Sequence, residues 1–244
     1  MRLTALFEKW KSYKERYGIV HASCAGLGRR LPWFWRWAGP LVTGQYRRRW
    51  LREQRGHIVN LGGGGNISQH WLTADIDPRA DVFVDLTRPL PWPDNSLDGL
   101  FLEEVVEHVP ASKVTRLFQE CHRCLKTGKP IRITTPDLRW IPVLLDSECV
   151  PAGILRDMAL AQIGIQDPTP PEMKVAAVNS IFREHGHQFI WDFASLAQAL
   201  GRAGFRRIRR SAYRDEESML GRADSHAHRF THPPEMSLYI EGAK

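Results

Sequence analysis

The chain has 244 residues, of which 43% are hydrophobic and 25% are charged, and its formal net charge is +7. These proportions suit a globular chain that buries a core, and they exclude intrinsic disorder, collagen and a disulfide-stapled miniprotein. No stretch reaches the ~20 apolar residues of a membrane span, and the N-terminus lacks the pattern of a secretory signal. We therefore expect a cytoplasmic protein.

The positive charge is concentrated at the N-terminus. Residues 1–55 contain 13 Lys and Arg but 3 Asp and Glu, a net charge of +10, which leaves −3 for residues 56–244. We predict a basic, aromatic-rich extension over 1–55 and one domain over 56–244. Three hypotheses stay open for the extension: packing over the ligand site, peripheral contact with the inner membrane face, and contact with RNA. Packing is favoured, and nucleic acid is disfavoured because no RNA-binding motif is present.

Apolar spacing predicts the elements of the extension. Apolar residues recur at helical intervals over residues 3–17, which predicts one amphipathic helix. Helix breakers then interrupt a tryptophan-rich stretch up to residue 50, and we interpret them as ending regular structure. These breakers are Gly26, Gly28, Pro32, Gly39, Pro40 and Gly44.

From residue 57 onward, short apolar runs alternate with helical patterns, which predicts an α/β sheet that is mostly parallel. The predicted strands are His57 to Leu61, Leu72 to Ile76, Val82 to Asp85, Gly99 to Leu102, Pro130 to Thr135, Phe205 to Arg210 and Met236 to Glu241. The predicted helices are Val105 to Val109, Ser112 to Leu125, Ile154 to Ile163, Pro171 to Phe182 and Phe193 to Ala203. Prolines interrupt this alternation over residues 138–184, where we predict a helical cap insertion.

A glycine run, Gly62 to Gly65, follows the first predicted strand. Glycines at the C-terminal end of a buried strand let the backbone turn tightly and approach a ligand. Asp75 ends the next strand, where a carboxylate accepts hydrogen bonds from both hydroxyls of a ribose. A nicotinamide site is disfavoured because Ile67 replaces the third glycine of that motif and Asp75 follows Gly62 by 13 residues, not by ~20. The pattern favours a nucleoside ligand without phosphates.

Further short motifs follow in chain order. The whole set is Asn60 to Gly65, Ala74 to Pro78, Asp85-Leu86, Pro89 to Asp98, Val106 to Val109, Cys124 to Gly128 and Thr135 to Asp137. In that order they resemble the successive motifs of class I S-adenosylmethionine-dependent methyltransferases, and most of all a small bacterial group with a shortened first crossover, often associated with glycan and cell-envelope biosynthesis. The resemblance implies a Rossmann-like seven-stranded sheet whose last strand is antiparallel.

The resemblance also implies S-adenosylmethionine as the cofactor. Gly62 and Gly64 would pass beneath its methionine part, Asp75 would hold the ribose, and Asp85 with Leu86 would meet the adenine. The expected cofactor-binding set is Asn60, Leu61, Gly62, Gly64, Asp75, Ile76, Asp85, Leu86 and Glu103. The pair Glu103-Glu104 departs from the family, whose members often carry small polar residues or histidine there.

Methyl transfer from a sulfonium is a direct displacement, so the protein mainly aligns the acceptor and needs a base only for a hydroxyl or a protonated amine. The candidate catalytic residues are Glu104, His108 and His187, each with an alternative structural role. No metal site is predicted, because Cys121 and Cys124 share one face of a predicted helix and favour packing. His226, His228 and His232 precede the last strand, and their loose spacing disfavours a metal site.

The resulting expectation is an S-adenosylmethionine-dependent methyltransferase that methylates a saccharide hydroxyl in glycan or exopolysaccharide synthesis. The saccharide rests on the resemblance alone. Two alternatives stay open. One is a methyltransferase of a small secondary metabolite, and the other is a non-catalytic cofactor-binding partner of the same fold. The residues identify neither the acceptor nor an oligomeric state.

Overall fold

A single sheet of seven strands forms the centre of the protein in a computed structural model. The structure describes all residues except 1–10, 12–13, 54–55, 69, 147–154, 157–158, 161–162, 184–185 and 226–235. The strand order is β3-β2-β1-β4-β5-β7-β6. The strands are β1 (Ile58–Leu61), β2 (Leu72–Asp75), β3 (Val82–Phe83), β4 (Gly99–Glu103), β5 (Pro130–Pro136), β6 (Arg206–Arg210) and β7 (Ser237–Ala243).

Strands β1 to β5 are parallel, whereas β7 pairs antiparallel with both β5 and β6. All seven predicted strands are therefore present, with ends that differ from the predictions by a few residues at most. The predicted fold class, a Rossmann-like methyltransferase sheet with an antiparallel last strand, is confirmed. Parallel strands that are buried on both faces consist of consecutive apolar residues, and this is why the strands could be predicted from the sequence.

Helices α3 (Ala111–Cys124) and α6 (Phe193–Arg202) pack on the sheet through apolar faces. Cys121 and Cys124 are free thiols in the main core, which confirms that they pack. The start of α6 is fixed by a capping box, in which Asp192 accepts a hydrogen bond from the Ser195 backbone N–H at 2.8 Å. These contacts hold the scaffold from which the strand ends project.

The extension contains helices that the glycines and prolines had hidden. Helix α1 (Ile19–Gly28) and helix α2 (Pro32–Glu53) replace the predicted irregular stretch, and Pro40 lies inside α2. Gly28 does end α1 and Pro32 does begin α2, but the prediction was wrong for Gly39, which lies inside α2 and serves packing. A Cβ at Gly39 would lie 2.7 Å from the Phe83 ring, so the missing side chain lets α2 approach β3. Residues 14–17 are helical, and most of the helix predicted over 3–17 lies outside the described residues.

The described helices of the predicted cap are α4 (Trp140–Asp146) and α5 (Pro170–Arg183). The two helices pack against each other around a small hydrophobic core of their own, which contains Leu144, Ala177, Ile181 and Met236. Within the described residues, no helix has the length and apolar character needed to cross a membrane. The division into an extension over 1–55 and a domain over 56–244 with a cap at 138–184 stays a prediction.

Candidate active site

A cavity of about 320 Å³ lies at the C-terminal ends of β1, β2 and β4. In sheets of this class, ligands bind at this edge, where loops leave the strands. The lining residues are Gly62, Asp75, Ile76, Val84, Asp85, Leu86, Thr87, Glu104, Val105, His108 and Val109. Seven of the predicted site residues are in that set: Gly62, Asp75, Ile76, Asp85, Leu86, Glu104 and His108.

The turn after β1 requires glycine for two separate reasons. Gly62 has φ of +75° and Gly64 has φ of +56°, which lie in the left-handed region that other residues adopt at a cost. A Cβ on Gly62 would also lie 2.1 Å from Val105 Cγ2, whereas a Cβ on Gly64 would meet nothing within 4 Å. The chain therefore passes close under Val105, one wall of the cavity.

Asp75 ends β2 and ties the glycine turn to the next loop. Its Oδ2 accepts a hydrogen bond from Gly64 N at 2.8 Å, and its Oδ1 accepts one from Asp77 N at 2.9 Å. Burial raises the pKa of Asp75, while these backbone bonds favour its charged form. A carboxylate oxygen has two acceptor sites, so both oxygens keep the capacity to accept one more donor. That capacity matches the pair of hydroxyls on a ribose.

Asp85 follows β3 and faces the extension. Its Oδ1 accepts hydrogen bonds from Thr87 N at 3.0 Å and Thr87 Oγ1 at 2.7 Å, and its Oδ2 lies 3.3 Å from Arg36 Nη2. Burial alone would raise the pKa of Asp85, but the Thr87 bonds and the nearby arginines hold it below its ordinary value. Arg36 belongs to α2, so the extension contacts a residue that lines the cavity. Ile76 and Leu86 add apolar surface beside the two carboxylates.

Two glutamates follow β4, and the first of them, Glu104, lines the cavity. Glu104 has φ of +51°, an unusual backbone conformation for a side chain of this size, and its Oε1 accepts a hydrogen bond from Ser237 Oγ at 2.9 Å. Glu107, in the one-turn helix Val106–His108, is fully buried and accepts a bond from Thr135 Oγ1 at 2.9 Å. Burial raises the pKa of Glu107 to about 7, and burial and then the neighbouring Glu107 raise that of Glu104 well above its ordinary value.

Two histidines converge on the same glutamate. His108 Nε2 lies 3.8 Å and His187 Nε2 lies 3.9 Å from Glu107 Oε1, and the centres of the two rings are 4.9 Å apart. His187 Nδ1 lies 2.5 Å from the carbonyl oxygen of Ile181, which accepts only, so Nδ1 carries a proton and donates it to that carbonyl, and Nε2 faces Glu107. The structure thus brings two of the predicted catalytic residues together around a glutamate that the sequence analysis did not single out.

The other predicted cofactor residues lie around the cavity without lining it. Leu61 belongs to the main core, and Asn60 is fully buried beside Gly63. Glu103 faces away, because its carboxylate accepts bonds from Ser225 N at 2.7 Å and Ser225 Oγ at 2.5 Å. The lining residues that were not predicted to belong to the site are Val84, Thr87, Val105 and Val109. They are ordinary apolar or turn residues, and the only signal in the sequence is that they lie next to predicted site residues. The three histidines at 226, 228 and 232 lie outside the described residues.

Comparison with known families decides the class of activity. Residues 64–132 match a family model described as a methyltransferase domain. This segment of the chain is therefore similar to a methyltransferase domain. The matched segment runs from the glycine turn through β2, β3 and β4 into β5, so it contains Asp75, Asp85 and Glu104. Methyltransferases of this fold take the methyl group from S-adenosylmethionine, and that is the cofactor which the cavity has to fit.

Solved structures of similar proteins include a methyltransferase from Archaeoglobus fulgidus, described as SAM-dependent, with 17% identity and a TM-score of 0.48, over 84% of this chain and 93% of that one. A possible histamine N-methyltransferase from Thermotoga maritima has 15% identity and a TM-score of 0.44, over 86% and 99%. An S-adenosylmethionine-dependent methyltransferase from Mesorhizobium loti has 16% identity and a TM-score of 0.42, over 83% and 98%. No curated protein matches the sequence.

The residues present fit this cofactor. The cavity joins a glycine turn whose close approach to Val105 leaves no space for a Cβ, a carboxylate with spare acceptor capacity at the end of β2, and apolar side chains after β2 and β3. These are the needs of an amino acid moiety, a ribose and an adenine ring in that order. Asp75 would hold the ribose, and Ile76 with Leu86 would flank the base.

Proposed function

We propose that this methyltransferase methylates a hydroxyl group, and that the acceptor is a saccharide in glycan or exopolysaccharide synthesis. The observation that carries the proposal is that Glu104 and His108 line the same cavity as the residues expected to bind the cofactor. When bound, S-adenosylmethionine supplies an electrophilic methyl group. A hydroxyl acceptor needs a group that takes its proton, and a carboxylate or an imidazole at this position does so.

The proposal assigns proton transfer to Glu104 or His108 and choice of the acceptor to the cap. Glu104 is held by Ser237 and by its own backbone bond from Glu104 N to Thr134 O at 2.8 Å, so its carboxylate stays at the cavity wall. His108 lies one turn further along the chain and lines the same wall. The cap over 138–184 would choose the acceptor, because loops and insertions on a fixed scaffold carry specificity. The saccharide class is supported by the family resemblance.

Turnover tests the proposal. Release of S-adenosylhomocysteine is measured over three acceptor panels: saccharides with free hydroxyls, small phenolic metabolites, and amines. We expect turnover with saccharides, and a Glu104→Gln variant that loses kcat far more than it changes KM. Glu216→Gln is the matched control, because Glu216 is exposed and lies outside the cavity. Turnover with phenols only would favour the secondary-metabolite alternative, and cofactor binding without turnover would favour the non-catalytic partner.

The extension supports a second proposal, peripheral contact with the inner membrane face. Trp33, Trp37 and Leu41 recur every four residues along α2 and are 69%, 68% and 66% exposed. The opposite side of the same helix is packed, with Trp35 buried against Phe83. A helix with exposed Trp and Leu on one face, in a segment rich in arginine, is typical of a protein that lies in an anionic lipid interface. Packing on the domain and contact with a membrane use different faces of α2.

Vesicle flotation tests this second proposal. We expect the full chain to float with vesicles that contain anionic phospholipid and to float less with neutral vesicles or in high salt. The double variant Trp33→Ser/Trp37→Ser should stay at the bottom of the gradient. Met219→Ser is the control, because Met219 is equally exposed but lies outside the extension. Flotation that survives the double variant would contradict the proposal.

A further inference from the structure

We propose that Glu107, His108 and His187 form a binding site for one divalent metal ion of the zinc type. The ligand atoms of these three side chains all lie within 4.8 Å of one another. Two imidazoles and one carboxylate are a common ligand set for zinc, and three protein ligands leave a fourth position open. This set comes from two distant parts of the chain, since His187 follows the cap helix α5 and the other two belong to the Val106–His108 turn.

The distances suit an ion after a small adjustment. Glu107 Oε1 lies 3.8 Å from His108 Nε2 and 3.9 Å from His187 Nε2. Ligand atoms bound tetrahedrally at about 2.1 Å from zinc are about 3.4 Å apart, so these two edges have to close by about 0.5 Å. The two imidazole nitrogens lie within 4.8 Å of each other, so that edge has to close by up to about 1.4 Å.

Glu107 supplies the independent observation that something belongs in this space. Its side chain is fully buried beside Glu104, with which it can share a proton, and Oε2 accepts a bond from Thr135. No other N–H or O–H group of the described residues donates to Oε1. A buried carboxylate oxygen that lacks a partner carries a substantial free-energy cost. This oxygen is aimed between the two imidazoles, and a cation there would satisfy it.

The surrounding contacts orient the ligands as metal sites require. Metal-bound histidine usually donates its other N–H to a carbonyl or a carboxylate, and His187 Nδ1 donates to the carbonyl of Ile181. Gln188 N donates to the carbonyl of Glu107 at 2.7 Å, and Gln188 Nε2 donates to the carbonyl of His108 at 2.7 Å. The segment that carries His187 is therefore fastened to the segment that carries the other two ligands, independently of any ion.

The position suggests a use for the open coordination site. His108 also lines the cofactor cavity, so an ion at this cluster would border the space assigned to the acceptor. A zinc ion there would bind an oxygen of the acceptor and lower the pKa of its hydroxyl. This last step rests on the proposed function, whereas the metal site itself does not.

Calorimetric titration with Zn²⁺ tests the site on the full chain after treatment with EDTA. We expect one ion per chain in the wild type, at least 10-fold weaker binding by His187→Ala and by Glu107→Gln, and unchanged binding by His70→Ala, an exposed histidine outside the cluster. A Co²⁺ absorption band that disappears in His187→Ala should accompany this result. Absence of saturable binding in the wild type, or equal affinity of the wild type and His187→Ala, overturns the proposal.

Folding is monitored by circular dichroism, because Glu107 is buried. If Glu107→Gln does not fold, His108→Ala replaces it, since that side chain is 30% exposed. Wild-type affinity in either histidine variant overturns the site. A protein that binds Zn²⁺ yet methylates no hydroxyl leaves the site standing and refutes the proposed function, and a protein that methylates saccharides yet binds no Zn²⁺ refutes the site alone.

Discussion

The glycine turn after β1 allows a prediction in which backbone strain and steric overlap are separated. We expect Gly64→Ala to destabilise the fold by roughly 1–2 kcal/mol, because a residue with a Cβ adopts the left-handed backbone conformation at a free-energy cost. Gly62→Ala carries the same conformational cost, and in addition its Cβ would lie 2.1 Å from Val105 Cγ2, which is a steric overlap. Overpacking adds about 1–3 kcal/mol, so the total for Gly62→Ala is roughly 2–5 kcal/mol.

Urea unfolding of both variants measures the difference, and a double-mutant cycle assigns it. In a Val105→Ala background the overlap disappears, so Gly62→Ala should cost no more there than Gly64→Ala does in the wild type. S-adenosylhomocysteine should also bind more weakly to Gly62→Ala, because displaced Val105 narrows the cavity. Equal destabilisation by the two alanines, or an effect of Gly62→Ala that Val105→Ala does not change, would refute the role assigned to the close approach.

Three further predictions concern stability. Burial lowers the pKa of His21 to about 4, so the fold should lose stability as pH falls from about 6.5 toward 4, and His21→Phe should flatten that pH profile in thermal melts. Arg132 is buried between two carboxylates, with Nη2 at 2.6 Å from Asp224 Oδ2 and Nη1 at 2.8 Å from Glu241 Oε1. Arg132→Met leaves both carboxylates without their cation and should lower the free energy of unfolding by about 3–5 kcal/mol. A change under about 1 kcal/mol would contradict a buried pair. Asp192→Ala removes the cap of α6 and should cost about 0.5–2 kcal/mol in urea unfolding, with no effect on cofactor affinity.

The sheet was predictable because its strands are buried and bounded by turn residues. Runs such as Leu100 to Leu102 are apolar and buried on both faces, so the residue pattern alone marks their place in the chain. The cofactor side of the site was predictable for the same reason, since Asp75 and Asp85 follow strand ends that topology brings to one edge. Seven predicted residues do line one cavity there.

Helix α2 was not predictable from local propensity. Gly39 and Pro40 disfavour a helix when they are considered alone. Tertiary contacts override that preference, because Gly39 packs on Phe83 and Thr43 Oγ1 accepts a hydrogen bond from Phe83 N at 3.1 Å. A sequence pattern does not contain those contacts.

The cluster around Glu107 was hidden for a different reason. His187 is 80 residues away along the chain, and it reaches Glu107 through hydrogen bonds between Gln188 and the backbone of the Val106–His108 turn. Only the spacing of Glu104 and Glu107, three residues apart at a helix start, signals that two carboxylates share a face. Side chains that meet through a loop after an insertion leave no periodic trace.

Calorimetric titration with S-adenosylhomocysteine tests most directly that this cavity is the cofactor site. The wild type should bind one molecule per chain and should not bind NAD. Asp75→Asn should bind about 10- to 100-fold more weakly, as expected for loss of hydrogen bonds to a charged group. Asp77→Asn is the control, because Asp77 pairs with Arg79 outside the cavity and should keep wild-type affinity. Unchanged affinity in Asp75→Asn, or NAD binding by the wild type, would contradict the assignment.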